Sequence, residues 1–129
     1  METNASNEGV GGVIYQEHEI ISYFSKKFNS TEKNYTIVEK KMYAIVFCLE
    51  KGRNMVLGNY IEIFTDNRNS IFQAEGNLRI KRWQLLLNEY TYELKQISGK
   101  DNVIADKLSR VFIIEDEKLT IQEKKKKLC

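Results

Sequence analysis

Three carboxylates stand where their neighbours make a carboxylate costly. Glu39 lies beside Val38 and close to Met42, Asp66 ends the run Ile61, Ile63, Phe64, Thr65, and Asp106 follows Ile104 and Ala105. A buried carboxylate is expensive unless it is paired or holds a metal. Each acid also has a plain role: Glu39 as a capping-box acid, Asp66 as a turn residue, Asp106 as a surface acid. Together, three carboxylates at the ends of core elements allow a cluster. A cluster of like charges needs cations, and oxygen ligands suit a divalent ion. Other chemistries have less support. The single histidine, His18, falls in the polar break "QEHE", and no Ser-His-Asp set is visible. Cys48 and the terminal Cys129 make neither a disulfide framework nor a zinc site.

The elements that would position these acids follow from periodicity. "NEGVGGVIYQ" reads as a turn leading into a strand, and "IISYFS" as the next strand, so close that the two form an antiparallel hairpin. Val38, Met42, Ile45 and Leu49 recur on one helical face. Thr36 can cap that helix, with Glu39 three residues on as a capping box, and Gly52 can end it. "YIEIFT" is a strand after a helix after a strand, which suggests a crossover and a parallel neighbour. "RNSIFQAE" is expected to form a short helix. Ile80, Trp83, Leu87 and Tyr90 mark another helix, and "YTYELKQI" alternates as a half-exposed strand. "NVIADKLSRVF" is a short amphipathic helix, capped in this reading by Asp101. The order predicts an α/β fold with one mixed sheet and helices on its faces.

The chain of 129 residues suits one domain, and its 42% apolar content is enough for a packed core. A net charge of +2 is too small to imply a polyanion partner by itself, although basic residues outnumber acidic ones between Asn77 and Arg110. No stretch has the length of apolar sequence that a membrane span needs, and the polar start is no signal peptide. The expectation is an intracellular protein, in cytoplasm or nucleus, with no membrane partner. We place a domain at residues 1–112 and a charged flexible tail at 113–129.

Several blocks carry a resemblance. "TNASNEGVGGVIYQ" is similar to TDAS-x-x-G-x-G-x-V-L-x-Q. "HEIISYFSKKFNSTEKNYTIVEKKMYAIV" is similar to HPIAYASR…L-x-x-E-x-NY-x-x-x-E-x-E-x-x-A-I-V. "IEIFTDN" is similar to V-x-TDH. "LRIKRWQLLLNEYTYELKQISGKDNVIADKLSR" is similar to R-L-x-RW-x-L-x-L-x-E-Y-x-F-x-I-x-x-x-x-GK-x-N-x-x-AD-x-LSR. With these blocks in order from Thr3 to Phe112, the chain resembles the ribonuclease H domain of the Pol polyprotein of LTR retrotransposons of the Ty3/gypsy type.

That resemblance implies an RNase H-like α/β fold: a five-stranded mixed sheet, its first three strands antiparallel, flanked by helices. It implies hydrolysis of the RNA strand of an RNA/DNA hybrid by four carboxylates and two Mg²⁺ ions, the metals serving the attacking and leaving oxygens. By position the four fall on Asn4, Glu39, Asp66 and Asp106. It also implies partners in the reverse transcriptase and integrase parts of a longer polyprotein. A hybrid would be read by shape, phosphates and 2′-hydroxyls. The candidate contacts are Arg79, Lys81, Arg82 and Lys100, with Asn67 and Arg68 beside Asp66; the bland alternative is a solvated helix face and a turn. Trp83 is better placed as core than as a stacking platform, and Lys124 to Lys127 could add nonspecific affinity.

One departure weighs against the activity. "TNAS" stands where TDAS is expected, so a neutral amide replaces the first carboxylate. Losing a unit charge beside divalent ions is worth several kcal/mol at an effective dielectric of about 20. The expected consequence is a loss of at least about a hundredfold in rate. Glu2 shares a strand face with Asn4 but stands about 6–7 Å along the strand. A second departure is that only Met1 and Glu2 precede Thr3, where the family has several apolar residues. The alternatives to a weakened nuclease are a noncatalytic nucleic-acid- or protein-binding module and a nonfunctional remnant of a transposable element.

Overall fold

The computed structural model describes residues 1–68 and 77–111. Most of the helix expected over "RNSIFQAE" and the tail at 113–129 lie outside them. Within them run strands β1 (Glu2–Ala5), β2 (Gly9–Gln16), β3 (Glu19–Lys27), β4 (Tyr60–Thr65) and β5 (Thr91–Gln96). A 3₁₀ turn (Glu32–Asn34) precedes helices α1 (Ile37–Lys51) and α2 (Arg53–Val56), and α3 (Leu78–Leu87) and α4 (Val103–Val111) complete the order. The sheet order is β3-β2-β1-β4-β5. β1 and β3 run antiparallel to β2, while β4 runs parallel to both β1 and β5. This is the mixed five-stranded α/β sheet expected from the sequence.

The hairpin turns at Glu17 and His18, both with positive φ (52° and 69°). Positive φ at both central residues is what a type I′ turn demands and what matches the twist of the flanking strands. His18 is thus a turn residue at the far end of the hairpin, with no part in the carboxylate region.

Alternation along the strands divides the core into two layers. On one face, α1 lays Met42, Ile45 and Leu49 against Ile14, Ile61, Ile63 and Leu94. Full burial of such side chains is worth about 1.5–3 kcal/mol each. Val10, Ala5, Phe28 and Ala44 extend this layer at one end. On the other face, Leu108 of α4 packs on Val13 and Tyr23. α4 comes so close that a Cβ on Gly11 would lie 2.5 Å from Ala105 O and Ser109 N. Gly12, facing the opposite way, leaves the space that Cys48 Sγ fills.

α1 begins as its sequence predicts. Thr36 accepts from Glu39 N, and the Glu39 side chain accepts from Thr36 N, a complete capping box. α4 begins differently from expectation. It starts at Val103, and the Asp101 carboxylate accepts instead from Ser98 Oγ at 2.8 Å. The residue before the helix is Asn102, whose Nδ2 donates to Thr3 O at 2.8 Å and so pins the helix start to β1.

β1 and β4 are parallel, with Glu2 opposite Phe64, a register that brings Asn4 level with Asp66 at the carboxyl end of β4. Carboxyl ends of adjacent parallel strands are where open α/β sheets place ligands. The beginnings of α1 and α4 reach the same place from opposite faces.

Candidate functional site

Four side chains meet at those strand ends, and one of them is a lysine. Asn4, near the end of β1, is buried. Its Oδ1 accepts from Lys41 Nζ at 2.5 Å and from Ala5 N at 2.9 Å. Its Nδ2 donates to Asp106 Oδ1 at 3.3 Å. Lysine only donates and a carboxylate only accepts, so these two neighbours fix which way the amide points. Lys41 Nζ donates further to Ala5 O at 3.0 Å and to Asp66 Oδ2 at 3.2 Å. Asp106 Oδ1 also takes Arg110 Nε at 3.3 Å, one turn along α4. The result is a continuous polar chain, Asp106–Asn4–Lys41–Asp66. Asp66 Oδ1 is buried and has no hydrogen-bond partner among the described residues.

Glu39 does not join this group. Its Oε1 accepts from Thr36 N at 3.0 Å and its Oε2 from Arg79 Nη1 at 2.6 Å. Burial opposes the ionised form, but the bonds from Thr36 and Arg79 outweigh it and hold the carboxyl below its ordinary range. The reason is helical geometry. Two residues turn an α-helix by about 200°, so positions 39 and 41 face different ways. Position 41 is the one aimed at Asn4 and Asp66. The structure does not bring Glu39, expected as a fourth ligand, to the other three positions: its carboxylate serves the helix cap, and Lys41 holds the place that faces the cleft. The signal was legible in "VEKKM". The family segment reads E-x-E there, and this chain has Lys41 at the second Glu.

Glu2 does not substitute. It lies beside the Met1 ammonium, and burial raises its carboxyl above the ordinary value, with Asp101 adding to the rise against the ammonium's pull. Mg²⁺ keeps several of its waters and needs only one or two carboxylates per ion, but two ions a few Å apart need carboxylates that neutralise and bridge them. Among the described residues no group of three or more His, Cys, Asp or Glu is placed to hold one ion. Asp66 and Asp106 remain, joined through a neutral amide and an ammonium. That donor set does not fit two Mg²⁺ ions.

The other sequence candidates divide. Arg68 folds back onto β5, its Nε donating to Leu94 O at 2.8 Å, and Asn67 N donates to Thr65 Oγ1. Arg79 spends its charge on Glu39 and lies 4.3 Å over the Tyr35 ring. Lys81 and Arg82 on α3 and Lys100 in the loop before α4 are exposed. Trp83 stands edge-on to Tyr35 and Tyr43 and packs against the main core, as expected of a core aromatic.

Comparison with known proteins places this arrangement. Residues 1–90 match the family described as the RNase H-like domain found in reverse transcriptase. The chain is 37% identical over 119 residues to the retrovirus-related Pol polyprotein from transposon opus of Drosophila melanogaster, a match covering 86% of this chain and 12% of that protein. It is 34% identical over 119 residues to the corresponding polyprotein from transposon 297 of the same organism, covering 90% and 11%. It is 34% identical over 123 residues to the transposon Tf2-3 polyprotein of Schizosaccharomyces pombe, covering 86% and 9%. The chain thus spans about a tenth of the length of these relatives.

Proposed function

From the premise that the chain belongs to the RNase H-like domains found in reverse transcriptase, we propose that it is a Pol-type domain that holds RNA/DNA hybrid without cutting it. The observation that carries this reading is the Lys41 ammonium set between Asn4 and Asp66. Hydrolysis of a phosphodiester needs a water activated on one side and a developing alkoxide stabilised on the other, and two metals do both. A tethered ammonium supplies charge but no coordination site for water. Two of the positions that face the cleft, 4 and 41, carry no carboxylate. At tenfold per ~1.4 kcal/mol, loss of both costs far more than the hundredfold expected for Asn4 alone.

The holding role rests on the exposed Lys81, Arg82 and Lys100, cations of the kind that meet phosphates irrespective of sequence. A reverse transcriptase and an integrase joined to the domain in one polyprotein, as the relatives' Pol polyproteins suggest, are the proposed partners. The test is cleavage of an end-labelled RNA/DNA hybrid in Mg²⁺ and in Mn²⁺, with Asn4→Asp and Asn4→Asp/Lys41→Glu in parallel. The unchanged protein is expected not to cut, Asn4→Asp to cut barely, and the double variant to cut. Hybrid binding should weaken steeply with salt for all three. Cleavage by the unchanged protein at the rate of the double variant would sink the proposal.

A further inference from the structure

The cleft is more than a damaged site, because its two departures suit each other. Asn4 accepts from Lys41 with one end of its amide and donates to Asp106 with the other. An aspartate at position 4 could not donate to Asp106. A glutamate at position 41 would bring a carboxylate, not a cation, to Asp66 and Ala5 O. The Lys41 ammonium has three protons, and three oxygens surround it: Asn4 Oδ1, Ala5 O and Asp66 Oδ2. Its side chain is only 15% exposed.

We infer that Lys41 is the resident cation of this cleft, an internal ammonium that takes the electrostatic place of divalent metal and closes the site to it. The proposal rests on the noncatalytic reading above and deepens it. A divalent ion at about 2.1 Å from Asp66 Oδ2 would stand at most about 5.3 Å from Nζ, since Nζ is 3.2 Å from that oxygen. At that range, in a half-buried site, like charges repel strongly. Asp66 alone cannot outweigh a cation already seated on it. The domain therefore carries its own countercharge, and its stability is independent of Mg²⁺.

Two measurements on the full chain test this. The first is Mn²⁺ titration followed by electron paramagnetic resonance. The second is thermal unfolding in EDTA and in excess MgCl₂. Neither reads cleavage. The unchanged protein should bind Mn²⁺ at least about a hundredfold more weakly than Asn4→Asp/Lys41→Glu and should melt at the same temperature in both buffers. The double variant should melt lower in EDTA and recover in Mg²⁺. Lys41→Met removes the cation without adding a carboxylate and should lower the melting temperature, whether or not the double variant folds. Saturable Mn²⁺ binding by the unchanged protein, or a Lys41→Met protein as stable as the original, would overturn the inference. A protein that binds Mn²⁺ yet does not cut would overturn this inference alone, whereas one that cuts would overturn the function proposed above.

Discussion

Glu39 and Lys41 differ by two positions and by everything that follows from them. Glu39 faces the helix cap and Arg79, so its charge stabilises structure. Its folded-state acidity is increased relative to the ordinary 4.5, as is that of Glu32, where burial is outweighed by Lys26 and Asn29 N. A depressed folded value means stability that is present above the unfolded value and lost as pH falls through the folded one. Stability should therefore hold at neutral pH and decline once pH drops below about 4.5. Glu39→Gln should cost about 1 kcal/mol at pH 7 and flatten the acid limb, as read by urea unfolding across pH. Equal stability of the two proteins at pH 7 would contradict the cap-and-pair role. At this scale the sequence told part of the story. Asp66 and Asp106 were legible because acids beside apolar runs are costly. The spacing at Glu39 fits both a cap and a ligand, and the structure places its carboxylate in the cap. The role of Lys41 is not legible in its spacing, because a lysine on a helix normally reads as solvated surface and nothing there says that it spans to another strand.

Whole elements were legible where one local signal sufficed. α1 follows from its apolar face and capping box, and the hairpin from two nearby strands around a polar break. β1 was not legible in that way. Its four residues show no clear alternation, and its central position depends on pairing not only with the neighbouring β2 but with β4, which is remote in sequence. α4 starts one residue later than its sequence pattern predicts, because Asn102 is held by β1 and stands before the helix. Two predictions belong to elements. Gly11→Ala would put a Cβ against the backbone of α4, at 2.5 Å from Ser109 N. Relief requires the helix to move, so the variant should lose at least about 2 kcal/mol of unfolding free energy and separate Asp106 from Asn4. Retained stability and an unchanged α4 would show the helix to be less tightly seated. At the hairpin, Glu17 and His18 hold positive φ that side chains disfavour. Glu17→Asn with His18→Gly supplies the pair type I′ turns favour and should raise stability by about 1 kcal/mol. A lower melting temperature would mean that the present pair has contacts worth more than the strain.

The described fold is closed by contacts between β1 and the α4 region. Asn4 meets Asp106 across 102 positions, Ser6 Oγ donates to Ser109 O at 2.8 Å, and Asn102 reaches Thr3. Such contacts are entropically late, because the loop between them must close first. They also set an order on synthesis. A nascent chain that has reached Lys100 contains the five described strands, yet the sheet face around Val13 and Tyr23 is still bare, for α4 has not been translated. The domain is thus proofread by α4, the last of the described helices. A stop codon or a protease cut just before Val103 spares every strand and still leaves a polypeptide with an open hydrophobic face, the kind that chaperones retain and degradation removes.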